Sequence, residues 1–236
     1  MAWFRRRRQI RAWFRDKDGT FYRNANLVSA EMEKMPKRTR ADFRRLDEMH
    51  AEWDRIFATN LFGPAALTNA LLPAMRARGQ GRIVVVSSTG AVRGMPLASI
   101  YSASKAGAER WAESLAAEVA PYGLGVTILL AGTYSTEITG DGTPVYRDDA
   151  GPYGPQHPKI EKRGRAAVRV ANPPERFARS LARALERDRR PIVHRGAGLD
   201  AKIFRMVGRV MPSIAMHHMV RIGLGQPRFG ALRAHR

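Results

Sequence analysis

The chain has 236 residues, a length that favours one domain, and its 41 Lys and Arg against 21 Asp and Glu give a formal net charge of +20. That balance alone points to nucleic acid, but much of the charge is massed in the first 45 positions, and the rest is scattered without the interleaved aromatics of a stacking platform. Zero cysteines exclude disulfides and thiolate metal sites, the six His form no ligand pattern, and no stretch is apolar and long enough to span a bilayer.

Residues 1–45 read unlike the rest. Met1-Ala-Trp-Phe-Arg-Arg-Arg-Arg8 opens them, Ala-Trp-Phe-Arg recurs at 12–15, and basic residues continue through Arg23, Lys34, Lys37, Arg38, Arg40, Arg44 and Arg45. No apolar core follows Arg5–Arg8, so no signal peptide is read and a cytoplasmic protein is expected. Three origins compete for this segment: a basic arm for nucleic acid or an anionic membrane surface, a divergent scaffold segment, or a shifted reading frame. The frame shift is preferred, because the chain uses Arg far more than Lys and out-of-frame translation of a GC-rich gene yields Arg-rich text.

Arg82-Ile-Val-Val-Val-Ser87 is a short β-branched run between Gly79/Gly81 and Ser-Ser-Thr-Gly, which predicts a strand buried on both faces of a parallel sheet. From Ala98 to about Tyr122 apolar residues recur at helical spacing (Ala108, Trp111, Leu115, Val119), and Pro121 and Gly123 end the pattern. Gly125-Val-Thr-Ile-Leu-Leu130 predicts a second buried strand, so the three segments form a βαβ unit. Tyr101 and Lys105, four residues apart near the start of this helix, share a face. A fixed ammonium beside a phenol favours the phenolate, which makes an acid–base catalyst of an otherwise inert side chain. Sites in open α/β sheets lie at the carboxyl ends of the strands, where Ser87-Ser88 and Ala131-Gly132 fall.

Gly140 to Pro158, rich in Gly, Pro and Asp, predicts a mobile loop over that end, with Arg163, Arg165 and Arg169 in loop as well. Pro173-Pro-Glu-Arg-Phe opens a helix with Phe177, Leu181 and Leu185 on one face, and Pro191-Ile-Val-His194 reads as the last strand. Ala201 to Gly225 is an amphipathic, Met-rich tail that includes Ile203, Val207, Val210, Ile214, Met216, Met219 and Ile222.

In order, Ile56-Phe-Ala-Thr-Asn60-Leu-Phe-Gly63, Gly81-Arg-Ile-Val-Val-Val-Ser-Ser88, Tyr101-x-x-x-Lys105 and Ala131-Gly-Thr-Tyr-Ser-Thr136 resemble the successive motifs of the short-chain dehydrogenase/reductase family. The resemblance runs from about Asp47 to Gly196 and matches the C-terminal portion of a member; Ala131 stands where the family carries Pro. It implies an α/β, Rossmann-like three-layer fold with a parallel sheet, incomplete in its N-terminal half. The implied organisation is a basic segment over 1–45, a catalytic portion over 46–200 and an amphipathic extension over 201–236. It implies a redox enzyme that interconverts an alcohol and a carbonyl of a small molecule with NAD or NADP. Tyr101 would be the acid–base group and Lys105 its electrostatic partner and a contact to the cofactor ribose. Ser88 would donate to the substrate oxygen, Asn60 would hold a water linking Lys105 to solvent, and Gly132 and Thr136 would lie along the nicotinamide.

Outside the resemblance, Ser88 is an ordinary turn residue, Asn60 an internal helix residue, Lys105 a solvated lysine and Thr136 a helix cap. The family's Gly-rich phosphate turn has no counterpart, since only Gly19 precedes Asn60, and Asn-Asn-Ala-Gly is also absent. A fragment or pseudoenzyme unable to hold a dinucleotide is therefore the second expectation, and a basic nucleic-acid-binding protein the third. With no neighbour from that half, the Ile83–Ser87 strand would be a sheet edge. The tail resembles the extension of steroid- and lipid-active members; core or oligomer packing is an equal reading, and Arg205, Arg209 and Arg221 allow a membrane-surface contact.

Overall fold

The computed structural model describes residues 51–136, 154–227 and 231. The chain divides into two units, Met1–Glu52 and Trp53–Arg236. The second is an α/β layered structure, and the first lies outside the described residues apart from its last two positions, as does most of the loop read over 140–158. Residues 51–57 are helical and pass through a π-helical turn, Ala58–Phe62, into α1 (Gly63–Arg78). Strand β1 (Gly81–Ser88) leads through the short α2 (Thr89–Val92) to α3 (Ser99–Val119) and β2 (Leu124–Ala131). Then come α4 (His157–Arg169), α5 (Pro174–Arg187), β3 (Ile192–Ala197), α6 (Leu199–Val210) and α7 (Ser213–Gly223).

The sheet has the order β1-β2-β3, and both pairings are parallel. Its centre is β2, in which Val126, Ile128, Leu129 and Leu130 are fully buried. Burying such side chains stabilises the fold by about 1.5–3 kcal/mol each. On one face, Ala108, Ala112, Leu115, Ala116 and Val119 of α3 pack with Leu72 of α1 over Val85, Val126 and Ile128. On the other, Phe177 and Leu181 of α5 pack with Leu129, Tyr134 and Ala197. The small residues of α3 let it lie close to the sheet.

Two expectations require correction. β1 is not buried on both faces: Val85 and Ser87 are buried, but Val86 is 41% exposed. Among the described residues β1 pairs only with β2. Arg163, Arg165 and Arg169 lie on helix α4, not in a loop, and the end of the Gly140–Pro158 segment is a short 3-10 turn running into that helix. Arg, Lys, Glu and Ala are good helix formers, and their charge does not oppose it. The tail is two helices, broken where Pro212 follows the extended Met211. Leu185 is half exposed, past the point where the sheet covers α5. Leu199, Ile203, Met206 and Val210 form an exposed stripe on α6, whereas Ala201 and Met216 are fully buried. Among the described residues no helix is long and apolar enough to cross a membrane.

A buried ionic cluster ties the three strands together at their amino ends. The Thr127 hydroxyl donates to Asp188 Oδ2 at 3.0 Å, and Arg195 of β3 donates to both oxygens of that carboxylate. Arg82 of β1 donates to Thr127 Oγ1 at 3.0 Å and to the Arg190 carbonyl at 2.6 Å. Burial pushes the Asp188 carboxyl up, but the hydrogen bonds from Arg195 and Thr127 and the charges of Arg195 and Arg82 outweigh it, so Asp188 is held below the ordinary aspartate range. A group depressed in this way stabilises the fold above the unfolded-state pKa of about 3.9, and that contribution is lost as the pH falls through the folded value. Asp188→Ala is expected to cost about 3 kcal/mol at neutral pH, because it strands two guanidinium groups. Urea unfolding should show the gap to the parent chain closing below about pH 4; a gap independent of pH would show that the carboxylate charge does not hold the strands.

Candidate active site

The carboxyl end of β1 and the first turns of α3 meet at one place. Ser88 is extended and caps α2, its Oγ accepting from the Gly90 N–H at 3.2 Å, so its own hydrogen remains available to donate. Gly90 is what lets this turn approach α3: a Cβ there would stand 3.4 Å from the Tyr101 ring and 3.3 Å from Ser102 Oγ. The Tyr101 side chain is partly open to solvent. Lys105 Nζ lies 6.0 Å from the centroid of the Tyr101 ring and donates to the Val86 carbonyl at 3.1 Å. Burial pushes the Lys105 ammonium below the ordinary lysine range. Tyr101 and Lys105 thus lie on one side of α3, against the turn that begins at Ser88. Just ahead of α3, Leu97 adopts φ 62°, a left-handed conformation that costs a leucine about 1–3 kcal/mol and that clusters at functional sites.

Asn60 lies in the π turn. That turn closes through the Gly63 N–H to the Ala58 carbonyl, and a Cβ on residue 63 would stand 2.9 Å from that oxygen. The wider turn sets Leu61 against Gly107 and points Asn60 Nδ2 at Ser104 Oγ, 3.0 Å away; Ser104 in turn donates to the Tyr101 carbonyl at 2.8 Å. Asn60 therefore sits one residue from Lys105 along α3, bonded to Ser104. Single π turns of this kind occur frequently at functional sites.

Beyond β2 the chain is pinned. Gly132 makes room for the Asp200 carboxylate, which accepts from the Thr133 N–H at 2.8 Å, and Asn172 N–H donates to the Thr133 carbonyl at 2.9 Å. The Tyr134 ring meets Phe177 edge-on at 5.4 Å. Thr136 ends the described stretch and is exposed.

Sequence reasoning missed the supports beneath the site. Ser87 Oγ donates to Glu109 Oε1 at 2.6 Å, and both residues are buried. Arg205 of α6 reaches Glu109 at 3.9 Å and also bonds His194, whose Nε2 lies 3.5 Å from Glu113. Burial, then the Arg205 charge, hold His194 below the ordinary histidine range, against the pull of Glu113 and Glu109. One signal was present: Tyr101, Lys105 and Glu109 recur every four residues, on one helix face. Among the described residues no group of three His, Asp or Glu is placed to hold a metal ion.

Residues 31–145 match the family model for short chain dehydrogenases. The chain is 41% identical over 93 residues to dehydrogenase/reductase SDR family member 7B of Xenopus laevis, covering 37% of this chain and 29% of that protein. It is also 41% identical over 81 residues to 3-ketodihydrosphingosine reductase of Bacteroides thetaiotaomicron, covering 34% and 30%. The chain therefore spans about three tenths of the length of these curated relatives. Among solved structures, a short-chain dehydrogenase from Streptomyces avermitilis superposes with a TM-score of 0.55 at 31% identity, over 75% of this chain and 63% of that one. A short chain dehydrogenase from Burkholderia cenocepacia, solved in complex with NADP, has a TM-score of 0.51 at 22% identity, covers 72% and 58%, and agrees in fold. Motifs, fold and relatives together support a short-chain dehydrogenase/reductase family protein.

Proposed function

We propose that the protein is an oxidoreductase that interconverts an alcohol and a carbonyl with NAD or NADP. The observation that carries this reading is the meeting of Tyr101, Lys105 and Ser88 at the carboxyl end of β1. A phenol open to solvent, a half-buried ammonium beside it and a serine with a hydroxyl hydrogen to give are the groups a carbonyl oxygen needs as it gains charge and a proton. NAD(P)(H) supplies the hydride chemistry when bound. The donor set at Tyr101 and Lys105 fits the ribose on the nicotinamide side, and Gly132–Thr136 fits the segment along the ring. The described residues include no Gly-rich turn that opens a helix, so the pyrophosphate side is not provided by them.

Each residue has a stated task. Tyr101 gives its phenolic proton to a carbonyl oxygen, or takes the proton of an alcohol. Lys105, anchored on the Val86 carbonyl, stabilises the phenolate electrostatically. Ser88 donates to the same substrate oxygen. Asn60 holds Ser104, and with a bound water it would connect Lys105 to solvent. The nearby Met-rich helices and the exposed stripe on α6 are where contacts with a second copy or a membrane surface would form.

Tyr101→Phe is expected to lower kcat by 10²-fold or more, in line with loss of a positioned acid–base group, while the melting temperature stays within about a degree. Undiminished reduction of a responsive ketone by this variant would refute the assignment. Because burial lowers the Lys105 pKa, the charged form is present below that value and lost as pH rises through it. The alkaline limb of the rate profile should accordingly begin below the pH at which an ordinary lysine titrates. Lys105→Arg, which keeps its charge, should move that limb upward while lowering kcat; an unmoved limb would assign it to another group.

A second reading, a cluster without its own dinucleotide site, is favoured by the single glycine before Asn60. The helix-terminus contribution to pyrophosphate binding is then missing. Fluorescence titration with NADH and NADPH should show no saturation at micromolar nucleotide. Saturable micromolar binding would show that another segment supplies the phosphate contacts.

A further inference from the structure

A cleft of about 970 Å³ opens beside the site, between the turn after Ser88, the first turns of α3, and α7 with the residues that follow it. It begins at Gly90, against which the Tyr101 ring packs. Its walls are of two kinds. Val92, Met95, Ala106 and Val220 give it an apolar body. Arg93, Arg221 and Gln226 give it donors: Arg93 Nε, Arg221 Nε and Gln226 Nε2 are buried and have no hydrogen-bond partner among the described residues. The bonds these two arginines do make are to neutral oxygens, from Arg93 to Ser213 Oγ at 3.3 Å and from Arg221 to the Pro227 carbonyl at 2.9 Å. No Asp or Glu is among the described residues of the lining.

This is unusual within the protein. Arg82, Arg195 and Arg205, which are also partly buried, each stand near a carboxylate: Asp188 for the first two and Glu109 for the third. Two guanidinium groups lining one cleft, with no carboxylate among its described lining residues, leave a positive potential that a matching ligand would neutralise, and a guanidinium is shaped to bind carboxylate or phosphate oxygens in pairs. A ligand that brings acceptors would meet these side chains where they line the cleft.

We propose that the cleft binds an anionic amphiphile, its carboxylate or phosphate held by Arg93 and Arg221 and its hydrocarbon body by Met95, Val92 and Val220. Calling this ligand the substrate rests on the redox reading above; the binding itself does not. No atom changes hands in the cleft. Its part is to select and orient, so that the far end of the molecule reaches the Gly90–Tyr101 contact.

The test is calorimetric titration of the full chain, without dinucleotide, with dodecanoate, dodecyl phosphate and dodecanol below their aggregation limits. The two anions should bind at least tenfold more tightly than the alcohol, and the tighter of the two identifies the carboxylate or phosphate source. Arg93→Met with Arg221→Met should abolish this preference, and Arg93→Lys with Arg221→Lys should restore part of it. Equal binding of dodecanol and the anions, on the unaltered chain, overturns the proposal without any variant. So does a preference that survives in the double Met variant, since it would belong to the protein's general positive charge. The measurement reads no turnover, so its failure leaves the roles of Tyr101 and Lys105 standing, and inactivity toward carbonyls leaves the cleft standing.

Discussion

Parallel pairing of β1 with β2 is the constraint from which the rest of the molecule follows. A parallel neighbour cannot be reached by a tight turn, so the chain leaving Ser88 has to travel back along the sheet before β2 begins. Helix α3, 21 residues long, makes that return. Its first turns must therefore stand at the end of the sheet where β1 stops, which is why Tyr101 and Lys105 come to face the turn at Ser88. The position of the site is a matter of topology. Its precision comes from packing: Gly90 admits the Tyr101 ring at close range and Gly107 the Leu61 side chain, and Ser104 takes the Asn60 amide.

The second organising feature is the use made of scarce carboxylates. A chain with 41 cationic and 21 anionic side chains has few acids to place, and among the described residues two of them, Glu109 and Asp188, are buried. Glu109 joins β1 to α3 through Ser87 and draws in Arg205 from α6. Asp188 joins the three strands on the opposite face. Asp200 fixes the segment after β2. Each acid holds a place where two elements meet. The solvent side and the cleft beside Tyr101 keep the surplus of positive charge.

What was legible in the sequence was what is local. The spacing from Ser88 to Tyr101 to Lys105, the β-branched run of β1 and the apolar run of β2 are all properties of short stretches, and each corresponds to the element expected. Ser87–Glu109, Asn60–Ser104 and Thr127–Asp188 were not legible, because they join residues 22, 44 and 61 positions apart, and pairing at such range depends on the fold. Helix α4 was not legible because the Gly-, Pro- and Asp-rich stretch before it signals a loop, and that signal does not mark where the loop ends. The exposure of Val86 was not legible because a β-branched run looks the same whether both of its faces are covered or only one.

The π turn at Ala58–Phe62 has one more consequence, for the phase of the helix that contains it. A wide turn holds one residue more than an α turn would, so the positions before and after it are offset by about 100° around the axis. Residues 51–57 and α1 therefore obey two different wheel diagrams, and no single 3.6-residue periodicity describes both. The surplus residue is what turns Asn60 toward α3. A helix of the same composition, one residue shorter, would be more regular and would carry Asn60 away from Ser104. Here the irregularity of the helix is the information that aims the side chain.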